Sequence, residues 1–207
     1  MARLSKGDAT LEISYRDFFA GWVMYEINFL WRGENIVNED ILQRSELREN
    51  FSKGAMVASE DAECGLLPIL RKVIETNQPD YWEPLEPDVI LGIYPEDYFP
   101  FLESKWRLVR ESEEHRRECE ERALLKAEKG VLADDYITLI MFVDTYAFKG
   151  CDAYSGDGIS LHLMVKRREL ESFYDELKGE YLEFKKRFHV DDLNRKEKGD
   201  DWKPMEV

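Results

Sequence analysis

The chain has 207 residues with 44 Asp plus Glu against 29 Lys plus Arg, a formal net charge of -15 at pH 7. A surplus of that size repels nucleic acid and anionic lipid and favours basic proteins as partners, without selecting a fold. With 43% hydrophobic and 13% aromatic residues the chain has material for a packed core, which separates it from disordered acidic sequences.

The basic start, Met1 to Gly7, is followed by Asp8 and Glu12 before an apolar stretch of export-signal length can form. No run approaches the roughly 20 apolar residues of a membrane span. The cysteines Cys64, Cys119 and Cys151 are odd in number and far apart, which fits neither a disulfide framework nor a zinc pattern. A cytoplasmic protein without membrane contact is expected.

Leu11 to Tyr15 reads as a first strand and Asp17 to Gly21 as a turn. Trp22 to Arg32 alternates Val23, Tyr25, Ile27, Phe29 and Trp31 with Met24, Glu26, Asn28 and Leu30, a long strand with one more polar face. Arg32 to Asn35 is a turn, and Asn38 can cap a short helix carrying Ile41 and Leu42. Phe51 to Asp61 has little periodicity and reads as loop. A helix over about 62–76 carries Leu66, Leu67, Leu70, Val73 and Ile74, with Pro68 suited to its first turn. Val89 to Tyr94 is a short buried strand, and 102–110 is another strand or an irregular connection.

Glu111 to Lys129 is a highly charged, solvated helix supported by i,i+4 pairs such as Glu118 with Arg122. Tyr136 to Thr145 is the most apolar strand and Ile159 to Lys166 its antiparallel partner across a long glycine-containing loop. Arg168 to Phe188 places Leu170, Phe173, Tyr174, Leu177, Tyr181 and Phe184 at spacings of three and four, an apolar helical stripe. The polar residues beyond His189 are expected to fray. These elements define an α+β fold, a mostly antiparallel or mixed sheet with helices on one face. One domain over 1–190 and a polar tail over 191–207 follow.

Chemistry-bearing motifs are absent from the sequence: there is no phosphate-binding glycine loop, no H-E-x-x-H and no C-x-x-C. The histidines His115, His162 and His189 lie apart from the cysteines in sequence, so no catalytic residue, metal ligand or cofactor is assigned. The densest constellation is 80–101, where acids, aromatics and prolines flank the short strand. Prolines stiffen such loops, so Trp and Tyr can be displayed at low ordering cost. Asp80, Trp82, Glu83, Glu86, Asp88, Glu96, Asp97 and Tyr98 are the candidate partner-binding residues here. Asp144, Asp152 and Asp157 form a second acidic set around the loop that follows the most apolar strand. That set is the basis of an alternative, a metal-dependent hydrolase or nuclease using strand-end aspartates.

The stretches Tyr81-Trp82-Glu83-Pro84-Leu85-Glu86-Pro87-Asp88, Ile93 to Phe101 and Phe142-Val143-Asp144-Thr145-Tyr146 resemble bacterial immunity proteins of polymorphic toxin systems, over roughly half the chain. The resemblance carries no diagnostic motif and assigns no residue a role. It implies an acidic inhibitor that covers the cationic cleft of a basic toxin or other nucleic-acid-handling enzyme, and it makes the chain a binding protein more readily than an enzyme. A phage-type inhibitor imitating DNA is a variant of the same class. The mixed charges of 111–129 disfavour it, because DNA displays about one negative charge per 1.7 Å without interruption.

Overall fold

In the computed structural model the described residues are 1–19, 21–37, 51–52, 55–61, 65–87, 89–96, 113–144, 148 and 157–198. The chain is α+β, with every strand pair antiparallel among the described residues. The first sheet is built from β1 (Ala2–Lys6), β2 (Ala9–Phe19), β3 (Trp22–Trp31), β5 (Met56–Asp61) and β7 (Glu86–Pro87) in that spatial order, with β4 (Glu34–Asn35) also on β3. The second sheet runs β10 (Gly158–Lys166), β9 (Tyr136–Asp144), β8 (Val89–Pro95), β6 (Asp80–Trp82). Four helices accompany them among the described residues: α1 (Leu66–Thr76), α2 (Glu113–Lys129), α3 (Arg167–Phe188) and α4 (Val190–Lys198).

The long strands follow their period-two patterns. Leu11, Ile13 and Tyr15 of β2 and Val23, Tyr25, Ile27 and Phe29 of β3 all turn to the core. A bulge at Arg16 lets β2 run on to Phe19 where the sequence suggests a turn. On β9, Ile137, Leu139, Met141 and Val143 point inward and meet the buried residues of α3. That helix buries Leu170, Phe173, Leu177, Tyr181 and Phe184, contacts both sheets, and packs on α1. One hydrophobic cluster joins both sheets and both helices. No described helix is long and apolar enough to cross a membrane.

Three elements correct the sequence reading. The segment expected to be loop, 51–61, contains β5, which lies between β3 and β7 and buries Met56, Val57, Ala58 and Ser59 in succession. A strand covered on both faces shows no alternation, so periodicity cannot find it. β1 is a polar edge strand whose small buried residues Ala2 and Leu4 give too short a signal. The segment expected to fray forms α4, whose Val190 joins the hydrophobic core. The helix expected from Asn38 and the element at 102–110 lie outside the described residues, as do Cys64 and Cys151.

Two glycines make opposite predictions. Gly179 sits on the exposed side of α3 with nothing within 4 Å of an added Cβ. Gly179→Ala should therefore stabilise the protein by about 0.5–1 kcal/mol through helix propensity. Gly158 faces Asp144 at the start of β10, where an added Cβ would lie 2.1 Å from the Val143 carbonyl oxygen. Gly158→Ala should cost about 1–3 kcal/mol, since backbone must move to admit the methyl. Thermal melts of the two variants on either side of the parent check both.

Candidate functional site

The candidate site lies where α1 hands the chain to the edge of the second sheet. α1 stops at Asn77, which takes the left-handed conformation (φ 53°) and donates its N–H to the Val73 carbonyl at 2.9 Å. Asn tolerates that conformation better than most residues, so the stop is encoded locally. Three residues later β6 pairs with β8, with Asp80 opposite Ile93, Tyr81 opposite Gly92 and Trp82 opposite Leu91.

From 81 to 85 the side chains alternate strictly. Trp82 and Pro84 are buried, whereas Tyr81, Glu83 and Leu85 are exposed, Tyr81 and Leu85 by 57% and 63%. The result is an aromatic, an acid and an aliphatic residue in one outward row. Trp82 anchors the row: its indole Nε1 donates to Glu60 Oε2 at 2.6 Å and its ring meets Tyr25 edge-on at 5.2 Å. The Leu85 N–H donates to the Ser59 carbonyl at 3.0 Å and fixes the far end of the row to β5. Beside it a shallow groove of about 390 Å³ is lined by Gly65, Pro68, Ile69 and the 80–83 segment.

This edge carries two described carboxylates, Asp80 and Glu83, and one of them is paired. Lys72 Nζ lies 2.7 Å from Asp80 Oδ2, and that bond holds the Asp80 carboxyl below the usual carboxylate range. Glu83 has no ion-pair partner among the described residues. Elsewhere acids and bases neutralise each other, as in Asp8 with Arg32, Glu75 with Arg71 and Asp134 with Lys166 and Arg168. Such exposed pairs contribute about 0–1 kcal/mol each, but they do cancel local field.

The other candidates from the sequence do not gather here. Trp82, expected as a surface contact, is taken inward and becomes core. Glu96 accepts Arg122 Nη2 at 2.7 Å and the Tyr136 N–H at 3.4 Å, tying α2 to the start of β9. Asp144 is buried at the opposite end of β9, next to Gly158, and Asp157 is exposed just beyond it. Pro95 pairs with Ile137 while Val89 pairs with Val143, so Glu96, one residue beyond Pro95, and Asp144 stand about 26 Å apart along the strands. Asp88, Asp97, Tyr98 and Asp152 lie outside the described residues, and the side chain of Glu86 is not described. Arg122 reaches Glu96 and Asp135, and the side chain of Glu118, its expected partner, is not described. Among the described residues no three His, Cys, Asp or Glu side chains are grouped to hold a metal ion.

Tyr81 and Leu85, exposed in the fold, are not among the residues the sequence offers as contacts, although both stand in the stretch that carries most of those. The signal that finds them is the parity of Trp82: once the largest side chain goes inward, its neighbours at odd positions go out. Comparison with known protein families, with curated proteins and with solved structures gives no match for this chain.

Proposed function

We propose that this is a protein-binding protein that acts through an acidic surface on a basic partner. Its particular form is an immunity protein that neutralises a basic toxin, such as a nuclease, by covering the toxin's cationic cleft. The observation that carries this reading is the outward row of Tyr81, Glu83 and Leu85, set on a sheet edge and anchored by Trp82. Tyr side chains are enriched at the energetic centre of interfaces, and an uncompensated carboxylate beside one selects a cationic counterpart. The net charge of -15 supplies long-range steering towards such a partner.

The reading predicts that the gene immediately upstream encodes a basic, toxic protein and that co-expression of this chain restores growth. The complex should weaken as salt rises. Tyr81→Ala should lower affinity at least about tenfold. Glu83→Gln should slow association and flatten its salt dependence, measured by surface plasmon resonance. Toxicity that persists in the presence of the folded protein, or a complex indifferent to both substitutions, refutes the reading.

A further inference from the structure

A second site lies on the outer face of the first sheet, away from the row on β6. There β2 and β3 oppose Glu12 with Asn28 and Ser14 with Glu26. On an ordinary solvated sheet face these four polar side chains would stand in water. Here they are 3–7% exposed and form the floor of a groove of about 480 Å³, walled by Arg16, Asn35, Ser52 and Arg187. Pockets that take small molecules fall in the range of about 300–1,000 Å³.

A hydrogen-bond account of the floor shows where it is incomplete. Glu26 Oε2 accepts Arg16 Nε at 2.6 Å and the Ser52 N–H at 3.2 Å, and its Oε1 accepts Asn28 Nδ2 at 3.3 Å. Burial alone would raise the Glu26 carboxyl, but the bonds from Arg16 and Ser52 outweigh it and hold the group below its ordinary range. Glu26 is therefore an ionised, satisfied carboxylate. Asn28 Oδ1 in turn accepts Asn35 Nδ2 at 3.2 Å.

Glu12 and Ser14 are different. Arg3 addresses Glu12 from one side, with Nε 2.8 Å from Oε1, and Oε2 receives no donor among the described residues. Ser14 is 7% exposed as a residue, lines the groove, and its hydroxyl has no hydrogen-bond partner among the described residues. Neither oxygen is fully buried, so both are reachable from the groove. A carboxylate oxygen and a hydroxyl oxygen left open on adjacent same-face positions of one strand can both accept from the same N–H-rich group.

The charge layout gives the sign of that group. The carboxylates are deep, with side chains of Glu12 and Glu26 8% and 4% exposed. Their guanidinium partners Arg3 and Arg16 are 56% and 44% exposed, and the Met1 ammonium, which also lines the groove, is neutralised by Glu180 at 2.7 Å. An anion entering the floor would meet carboxylates, whereas a cation would meet open acceptors. Two oxygens are too few for Ca²⁺, which takes about 6–8. We infer that this groove binds a small organic cation, a primary amine or guanidine whose N–H groups donate to Glu12 Oε2 and Ser14 Oγ. The site is separate from the β6 row and does not depend on the proposed inhibitor role.

The test titrates the full-length protein with agmatine and with putrescine, following backbone amide NMR shifts of Ser14 and Asn28. Saturable shifts with a dissociation constant near or below about 1 mM are expected. Glu12→Gln, which keeps shape and removes charge, should weaken binding at least about tenfold. Ser14→Ala should weaken it about threefold to tenfold with an unchanged urea midpoint, so the result stands even if Glu12→Gln folds poorly. A neutral diol of the same length should give no response. No saturable shift by either amine up to about 10 mM overturns the inference. So does an equal response to the diol, or affinity unchanged in Ser14→Ala and in folded Glu12→Gln. A response to a capped lysine peptide without one to the free amines assigns the groove to a protein side chain and overturns it as well.

Discussion

Trp82→Ala should lower the free energy of unfolding by about 3–5 kcal/mol, read from the shift of the urea midpoint at constant m-value. The side chain is 1% exposed, so truncation leaves a cavity among Tyr25, β5 and β8. It also removes the donor to Glu60, a carboxylate only 2% exposed that also accepts the Tyr25 hydroxyl. Burial, and after it the charge on Glu60, push the Tyr25 phenol well above its ordinary range, so Tyr25 stays protonated and goes on donating. Trp82→Phe separates the two contributions. It keeps much of the volume and loses the indole N–H, and should cost about 1.5–3 kcal/mol, the worth of a bond to a charged group. Glu60→Gln should cost a similar amount, because one amide oxygen cannot replace two carboxylate oxygens for two donors. A loss below about 1 kcal/mol in Trp82→Ala would contradict the anchoring role. Tyr81→Ala, by contrast, should change stability by less than about 0.5 kcal/mol. If both hold, loss of partner binding in Tyr81→Ala reports the surface itself and loss in Trp82→Ala reports the anchor beneath it.

The same contrast explains what was legible in the sequence. Long elements with one buried face announce themselves: β3, β9, β10 and the stripe of α3 stand almost where their periods put them. Elements whose state is set by neighbours do not. Met56 to Asp61 has neither alternation nor helical spacing, and becomes a strand because β3 and β7 flank it. Arg3 and Ser5 alternate with Ala2 and Leu4 in β1, but two modest apolar residues are too weak a pattern to distinguish from a basic leader.

For the site, residue types were legible and directions were not. Acids, aromatics and prolines mark the 80–88 stretch in the sequence, but they do not separate inward Trp82 from outward Glu83. Which parity faces out is decided by the pairing of β6 with β8, a contact between segments about ten residues apart. Glu96 and Asp144 looked like surface acids because charge is normally solvated. Both are structural in the fold: Glu96 bonds Arg122, and Asp144 is buried beside the start of β10. The polar face of β3 was visible as alternation, but its depth depends on Ser52 and Arg187, remote in sequence from Glu26.

Arg167→Ala should cost about 3 kcal/mol and loosen the edge that carries Tyr81. Arg167 opens α3 and is 4% exposed. Its Nη1 donates to the Ile74 carbonyl at 2.8 Å and its Nη2 to Asn77 Oδ1, while its own N–H donates to the Asp135 carbonyl at 2.8 Å. The guanidinium thus caps the C-terminus of α1, where unpaired carbonyls and the helix dipole favour a cation. Burial of that charge is unfavourable, and Nε has no partner among the described residues, so the clamp's net worth rests on the two terminal bonds. Arg167→Met tests this balance by keeping the volume and removing donors and charge together. It should cost about 2 kcal/mol, because Ile74 and Asn77 lose their donor in a part-buried position. A Met variant as stable as the parent would show that desolvation cancels the bonds. Arg167→Lys should fall between, since an ammonium cannot span both acceptors in the guanidinium's fork geometry. Because α1 leads through Asn77 directly into β6, hydrogen exchange of the 80–82 amides should accelerate in Arg167→Ala while that of the β9 amides changes little. Exchange that rises equally in β9 would mean that the clamp supports the whole core and not the candidate site in particular.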